Sequence, residues 1–290
     1  DGLVVLTVES VKGGEIFTVV EQGGPLSNNK GINRAGGGLT APALTEKDIA
    51  DLDAAIAMGV DFLAISFPKD GADMAYARKL ADAASAKYGV GKVRTIAKVE
   101  RAEAIEPEAL KSIIAESDGI MVARGDLGVE VPVEQVPIIQ KEIIRKCMRR
   151  AKPVIVATQM MESMMERTKP NRSEVTDVAN AVLEGADAVM LSGETAMGDY
   201  PTMVVEMMSK IIMEVEKSVY EYNREDILTP QPHSPSFLSD AVCYTACKLA
   251  HDTHASALIG MTQSGYTGFM LSSYRPKSHL FIFSKERSLI

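Results

Sequence analysis

Residues 118–128, DGIMVARGDLG, place an arginine, an aspartate and two glycines immediately after an apolar run. The run has the composition of a strand that is buried on both faces, and glycine after such a strand indicates a turn. A turn needs the glycines but not the charges. The stretch therefore predicts a buried strand whose carboxyl end carries chemical groups for another purpose.

Four further apolar runs have the same character, and amphipathic helical stretches separate all five. The other runs begin near residues 61, 93, 153 and 187, as DFLAISFP, VRTIAKVE, PVIVATQM and DAVMLSGE. Their spacing of about 25 to 35 residues is the length of a βα unit. Uniformly apolar strands are covered on both faces, which predicts a parallel sheet.

Two architectures fit this alternation: an open doubly wound sheet and a closed eight-stranded barrel. A dinucleotide-binding sheet has a G-x-G-x-x-G turn after a strand, and none of the five runs is followed by one. Polar residues at several strand ends are instead typical of the mouth of a (β/α)8 barrel. These residues are Ser66, Lys98, Glu100, Arg124, Asp126, Thr158, Gln159, Ser192 and Glu194. We therefore predict an α/β fold with five βα units of a partial TIM barrel, completed by chain outside this sequence.

Changes in sequence texture indicate three parts of the chain. Residues 1–40 contain two β-branched runs around Gly13 and Gly14, which predict a hairpin. Residues 41–225 contain the βα units and open with a helix, which the capping-box pattern TEKD would begin. Residues 226–290, which start near the proline-rich LTPQPHSPS, predict a second α/β part. We expect the chain to continue beyond both ends.

The composition excludes several classes of protein. Across 290 residues, 46% apolar and 24% charged residues are typical of a globular protein. The net charge of -8 argues against nucleic acid or an anionic membrane as a partner. The apolar runs are too short to span a bilayer and no secretion signal opens the sequence, so we expect a cytoplasmic protein. Of the three cysteines, Cys243 and Cys247 are spaced as in a helix, which favours helix packing over a metal site.

Glu100 and Asp126 end neighbouring predicted strands, and two such carboxylates can share one Mg²⁺ or Mn²⁺. Lys98 precedes Glu100 by two residues, so both side chains point to the same face of a strand. A lysine beside a metal ion is repelled unless an anion lies between them, which implies a phosphate or carboxylate substrate. We expect Lys98 to lie across a phosphate-sized gap from the two carboxylates.

Gly125 and Gly128 flank Asp126 at a predicted strand-to-helix turn, where free backbone amides can approach an anion closely. Thr158 adds a hydroxyl suited to hydrogen bonding or proton relay. Each feature also has a simpler explanation: a chance Arg-Gly-Asp, a surface Lys–Glu pair, or a helix N-cap at Ser192. Their shared position at strand ends favours a site.

Five segments resemble the pyruvate kinase family, in the family's order and over nearly the whole chain. They are GGPLSNNKGIN, TIAKVERAEAI, IMVARGDLGVEVP, VIVATQMMESM and RSEVTDVANAVLEGADAVMLSGETAMGDYP. The sequence GGGL before ALTEKD, and Arg101 where many members have asparagine, resemble the bacterial form activated by AMP and sugar monophosphates. The resemblance implies that residues 1–40 are the C-terminal part of an inserted small β domain, 41–225 are barrel strands four to eight, and 226–290 are part of a regulatory α/β C-terminal domain.

This resemblance implies a glycolytic phosphotransferase that moves the phosphoryl group of phosphoenolpyruvate to ADP, giving pyruvate and ATP, with Mg²⁺ or Mn²⁺ and K⁺. Glu100 and Asp126 match the metal ligands. Lys98 matches the lysine that neutralises the phosphoryl group in transit. Gly125 and Asp126 match residues that hold the substrate carboxylate, and Thr158 matches the threonine near the carbon to be protonated. Arg124 resembles the arginine that braces this loop.

The remaining expectations also come from the resemblance. The ligands of ADP and K⁺ belong to barrel strands outside this chain, and the parent protein would be a homotetramer. The turn TQSGYTG resembles the site of a phosphorylated allosteric effector, although Tyr266 stands where an arginine is common. The candidate effector residues are Thr262, Ser264, Gly265 and Thr267.

Two alternatives stay open. One is a Mg²⁺-dependent lyase or aldolase that stabilises a pyruvate enolate with carboxylates on barrel strands. The other concerns the chain by itself, which would be inactive and would bind Mg²⁺ and phosphoenolpyruvate at best, because five strands cannot close a barrel.

Overall fold

An antiparallel hairpin opens the part of the chain that the computed structural model describes, which is residues 4–28, 31–218 and 229–286. Strand β1 (Val5–Lys12) pairs with β2 (Glu15–Gln22). Gly13 and Gly14 connect them with φ values of 57° and 87°, which glycine adopts readily. The predicted hairpin is confirmed. Its apolar side chains are exposed on both faces, so the hairpin has no core of its own.

The five predicted βα strands form one parallel sheet. They are β3 (Phe62–Ile65), β4 (Arg94–Val99), β5 (Gly119–Ala123), β6 (Val154–Ala157) and β7 (Ala188–Met190). Each strand pairs with its neighbour in sequence, in the order β3-β4-β5-β6-β7. The predicted parallel sheet is confirmed.

The strand order decides between the two architectures. A doubly wound sheet changes direction at a switch point, whereas a (β/α)8 barrel adds each strand beside the previous one. The order here is that of the barrel, as predicted. Among the described residues the sheet has two open edges, at β3 and β7, so these five units form part of a barrel wall.

Helices connect these strands and cover the sheet. They are α1 (Glu46–Ala57), α2 (Gly71–Tyr88), α3 (Pro107–Glu116), α4 (Arg124–Glu130), α5 (Val136–Met148), α6 (Arg172–Glu184), α7 (Gly193–Ala196) and α8 (Pro201–Ser218). Short 3-10 turns lie at Glu103–Ile105, Val133–Gln135 and Glu162–Met165. The capping box at the start of α1 is confirmed, because Thr45 N donates to Asp48 Oδ2 at 2.8 Å and Asp48 N donates to Thr45 Oγ1 at 3.3 Å.

The main core lies between the central strands and the helices that cover them. All five residues of β5 are buried, as a strand in the middle of a covered parallel sheet should be. Ile143 and Ile144 of α5 are buried in the same core. Because β5 is held on both faces and by both neighbouring strands, it is a rigid support for the residues at its carboxyl end.

A second α/β unit follows near the C-terminus. It contains α9 (Phe237–Asp252), β8 (Ala257–Thr262), α10 (Tyr266–Ser273) and β9 (His279–Ser284), with β8 and β9 parallel. Cys243 and Cys247 are buried against α10, which confirms helix packing as their role. The predicted boundary at residues 225–226 lies outside the described residues. Within the described residues, no helix combines the length and the apolar composition of a membrane span.

Candidate active site

Lys98 and Glu100 stand at the carboxyl end of β4, two residues apart. Lys98 Nζ lies 2.6 Å from Glu100 Oε1, and it donates a hydrogen bond to Ser66 Oγ at 3.1 Å. The Glu100 side chain is 1% exposed and that of Lys98 is 26% exposed. The two side chains therefore share a face, as their spacing predicts, and only the lysine still reaches solvent.

The expected phosphate-sized gap between Lys98 and the carboxylate pair is wrong for Glu100. The ammonium and the Glu100 carboxylate are in direct contact. Opposite charges attract more strongly where little water surrounds them, and the attraction grows as the distance between them shortens. An anionic substrate would therefore have to compete with Glu100 for Lys98.

The Glu100 carboxylate has a second partner in the backbone that follows β3. Phe67 N donates to Glu100 Oε2 at 2.8 Å, and Phe67 has a left-handed φ of 55°, which is rare for an aromatic residue. Burial raises the pKa of Glu100 above its usual range, and the charge of Asp126 also raises it, while Lys98 and the Phe67 amide oppose the rise. The Asp126 carboxylate is therefore close enough to Glu100 for its charge to affect the pKa of Glu100.

Asp126 lies in the first turn of α4, which begins directly after β5. The pairing of Val99 with Val122 places the ends of β4 and β5 side by side, so Glu100 and the start of α4 are at one edge of the sheet. The backbone N–H of Gly125 donates to Thr158 Oγ1 at 2.8 Å, so the prediction of a free amide is wrong for Gly125. The fold thereby joins residues from the ends of β5 and β6, as the strand-end pattern predicts.

Thr158 and Gln159 follow β6 in a strained conformation. Their φ values are 71° and 51°, in a region that a β-branched residue such as threonine rarely enters. The Thr158 hydroxyl donates to the Ala157 carbonyl at 2.6 Å while it accepts the Gly125 N–H. The hydroxyl is therefore held in a defined direction.

Arg124 holds this strained turn from the neighbouring strand end. Its guanidinium donates to the carbonyls of Thr158 at 2.7 Å and Gln159 at 3.3 Å, and it pairs with Asp177 of α6 at 2.7 Å. The side chain is 12% exposed. These contacts agree with the bracing role that the resemblance implies for Arg124.

Two polar residues follow β7, Ser192 and Glu194. The N-cap explanation does not account for the Ser192 side chain. Ser192 makes no side-chain hydrogen bond to the start of α7. Instead, the two oxygens of the buried Glu194 carboxylate accept backbone N–H groups from Met161 at 3.1 Å and Ser192 at 2.7 Å. Glu194 therefore links the loops after β6 and β7.

Glu100 and Asp126 suit a hard divalent cation. Mg²⁺ commonly takes only one or two protein carboxylates and completes its coordination with water and substrate oxygens. Glu100 Oε1 is buried and lies 2.6 Å from the Lys98 ammonium. No group of three or more Asp, Glu, His or Cys residues is placed to hold a metal within residues 4–28, 31–218 and 229–286. The two carboxylates therefore fit Mg²⁺ or Mn²⁺ with substrate as a further ligand.

Several residues beside the site were not assigned a role from the sequence. The glycine-rich segment before α1, residues 36–39, lies near the end of β4 and contacts Arg101, Glu103 and Glu130. Glu130 also accepts the Ala102 N–H, and Arg101 pairs with Glu103. The sequence offered a signal for these contacts, because Arg101 and Glu103 follow Glu100 closely and residues 36–38 are three consecutive glycines. Phe67 gave no such signal, because its contribution is a backbone N–H.

The predicted effector residues surround the turn from β8 into α10. Gly265 N donates to Thr262 Oγ1 at 3.0 Å, and Tyr266 N donates to Ser264 Oγ at 3.4 Å. The Tyr266 hydroxyl donates to Asp240 Oδ1 at 2.5 Å. An anion at this turn would compete with these bonds and would meet a carboxylate nearby. Thr267 lies in the first turn of α10.

Two family models match this chain. One, described as the barrel domain of pyruvate kinase, matches residues 1–205, and the other, described as its alpha/beta domain, matches residues 240–289.

Known proteins with similar sequences carry the same family name. Pyruvate kinase II of Salmonella typhimurium is 48% identical over 289 residues, which cover 99% of this chain and 58% of that protein. Pyruvate kinase of Mycobacterium intracellulare is 46% identical over 267 residues, which cover 92% of this chain and 54% of that protein. The crystal structure of a pyruvate kinase from Cryptosporidium parvum has a TM-score of 0.87 at 36% identity, covering 99% of this chain and 59% of the solved chain. The chain spans little more than half the length of these relatives.

Proposed function

This chain belongs to the pyruvate kinase family, and from that premise we propose that the whole protein transfers the phosphoryl group of phosphoenolpyruvate to ADP, giving pyruvate and ATP. The observation that carries the proposal is the meeting of three strand ends. Lys98 and Glu100 end β4, Asp126 follows β5, and Thr158 follows β6 with its hydroxyl bonded to the Gly125 amide. This set offers a cation, a carboxylate pair and a positioned hydroxyl within one site.

Lys98 is proposed to stabilise charge on the phosphoryl group. Its ammonium is anchored by Ser66 and Glu100 but keeps about a quarter of its side chain exposed, so an anion can approach it from solvent. Phosphoryl transfer has little covalent chemistry for a protein to perform, and a fixed positive charge lowers the barrier by electrostatics. Lys98 would act as that charge and not as a nucleophile.

Glu100 and Asp126 are the residues that would hold Mg²⁺ or Mn²⁺. When bound, the cation would neutralise negative charge on the substrate oxygens. The raised pKa of Glu100 means that protons compete for this carboxylate, so cation binding should weaken as the pH falls. K⁺ is proposed as a second cofactor, on ligands that we do not place among the residues of this chain.

Gly125, Asp126 and Thr158 are proposed to bind and protonate the substrate carbon skeleton. The backbone N–H groups of Gly125 and Asp126, in the first turn of α4, would hold the carboxylate. The Gly125 N–H would have to leave the Thr158 hydroxyl to do so. The Thr158 hydroxyl, held by Ala157 and Gly125, would lie near the carbon that receives a proton as pyruvate forms.

The location, assembly and regulation of the whole protein are proposals of the same kind. We place it in the cytoplasm as a homotetramer of the type activated by AMP and sugar monophosphates. Thr262, Ser264, Gly265 and Thr267 are the proposed contacts for a phosphorylated effector. The presence of Asp240 beside Tyr266 suggests that such an effector binds only if this pair separates.

The test is the release of pyruvate from phosphoenolpyruvate and ADP by the whole protein, with Lys98→Met as the variant. Loss of one preorganised charge should lower turnover about 1,000-fold while Mn²⁺ binding is retained. Lys111→Met is the matched control, because Lys111 is 61% exposed and lies on α3; its turnover should equal that of wild type.

Two outcomes would contradict the proposal. A wild-type protein that cleaves a 2-keto acid and makes no pyruvate from phosphoenolpyruvate and ADP would be a lyase or aldolase. A Lys98→Met variant that loses Mn²⁺ affinity as strongly as turnover would show that Lys98 maintains the site and does not stabilise the phosphoryl group.

A further inference from the structure

The glycine-rich segment, residues 36–39 (GGGL), lies against the loop that follows Glu100. Arg101 is 3% exposed, and its Nη2 donates to the Leu39 carbonyl. Its Nε lies 3.5 Å from Glu103 Oε2. A buried guanidinium with these partners joins the glycine-rich segment to the end of β4.

Glu103 holds the same segment from the other side. Its Oε1 accepts the backbone N–H of Gly38. A Cβ added to Gly37 would lie 2.8 Å from the Glu103 carboxyl, and Gly36, Gly37 and Gly38 all have positive φ values, of 79°, 75° and 86°. Only glycine fits this close, left-handed path without strain, so the segment and the Glu103 carboxylate are shaped to each other.

A second anchor connects the glycine-rich segment to the other carboxylate-bearing element. Gly36 N donates to the Glu130 carbonyl at 2.8 Å, and Glu130 is the last residue of α4, the helix that carries Asp126 in its first turn. The Glu130 carboxylate in turn accepts the Ala102 N–H at 2.8 Å. The segment therefore bridges the loop after Glu100 and the helix of Asp126.

We infer that Arg101 and Glu103 are positioning residues that clamp the glycine-rich segment across the ends of β4 and α4 and so set the separation of the Glu100 and Asp126 carboxylates. This inference rests on the proposed metal site. Neither residue needs to touch the cation. Each acts through the backbone, because the clamp limits the movement of the loop that begins at Glu100 relative to α4.

The test is Mn²⁺ binding to the whole protein, measured by the loss of the electron paramagnetic resonance signal of free Mn²⁺. Residues that support metal ligands without touching the metal typically contribute 10- to 100-fold to metal affinity. We therefore expect Arg101→Asn to weaken Mn²⁺ binding about 10-fold. Glu103→Gln, which keeps the side-chain volume, should weaken it in the same direction. Arg101→Lys, which keeps a charged donor, should recover part of the affinity. Circular dichroism checks that each variant is folded.

Two controls make the outcome decisive. Lys111→Asn removes the same charge from an exposed position and should leave Mn²⁺ affinity unchanged, while Glu100→Gln should abolish the binding that is measured. If binding depends on Glu100 but Arg101→Asn and Glu103→Gln match wild type, the positioning inference is overturned and the metal site stands. If Mn²⁺ binding is absent or does not depend on Glu100, the proposed metal site fails and the inference fails with it.

Discussion

Removal of the Lys98 charge should destabilise the folded protein in a pH-dependent way. Glu100 is 1% exposed and 2.6 Å from Lys98 Nζ, so Lys98→Met leaves a buried carboxylate with the Phe67 N–H as its remaining close partner. Breaking a buried ion pair by removing one partner costs about 3 to 5 kcal/mol. Because Lys98 keeps 26% of its side chain exposed, we expect the lower end, about 3 kcal/mol at neutral pH, or roughly 6 to 12 °C in Tm.

The pH dependence follows from the direction of the Glu100 shift. Burial raises the pKa of Glu100 above its ordinary value of 4.5, and Lys98 opposes that rise. A carboxyl whose pKa is raised by folding favours the folded state most below its ordinary pKa and loses that contribution as the pH rises through the folded value. Without Lys98 the loss extends to higher pH. The deficit of the variant should therefore be small at about pH 4 and reach its full size near pH 7.

The assay is thermal unfolding of wild type and Lys98→Met in EDTA, at several pH values. Lys111→Met serves as the control for loss of an exposed lysine. The double variant Lys98→Met with Glu100→Gln should recover most of the stability, because no buried charge is left unpaired. This explanation would be refuted if Lys98→Met lost as much stability at about pH 4 as at about pH 7. It would also be refuted if the double variant were no more stable than Lys98→Met.

Two further predictions concern backbone geometry. Gly37→Ala should lower the free energy of unfolding about 1 to 3 kcal/mol more than Gly13→Ala; both positions have positive φ, but only at Gly37 would the new Cβ meet another residue, Glu103, within 4 Å. Equal losses in denaturant unfolding would show that the contact has no cost. Arg124→Lys should lower stability by about 2 kcal/mol, the size of a lost hydrogen bond to a charged group, and should speed hydrogen exchange at Thr158. An ammonium cannot replace the forked contacts of the guanidinium. Unchanged exchange there would contradict the bracing role.

The central strands could be predicted because strands that are buried on both faces of a parallel sheet are continuous apolar runs. The apolar run before Arg124 has the length of a strand, and the turn residues after it define its end, which together favour a buried strand over a buried helix. The capping box of α1 was predictable for a similar reason, since Thr45 and Asp48 satisfy backbone groups only a few residues away.

The candidate site was only partly predictable. The two-residue spacing of Lys98 and Glu100 correctly placed them on one face, because side chains alternate along a strand. Their direct contact was not predicted, since it depends on how far each side chain is desolvated. The left-handed Thr158 and Gln159 also had no sequence signal, because non-glycine residues enter that region only when surrounding contacts such as those of Arg124 hold them there.

By itself, the sequence determined the kinds of groups at each strand end and the parallel sheet that brings them together, because those properties depend on local composition and on a repeating strand period. The tertiary structure alone decided which of these groups touch. It paired Lys98 with Glu100, turned the Thr158 hydroxyl toward Gly125, and clamped the glycine-rich segment between Arg101, Glu103 and Glu130. The physical reason is that contacts between residues distant in sequence depend on packing, burial and charge in three dimensions, which no short stretch of chain records.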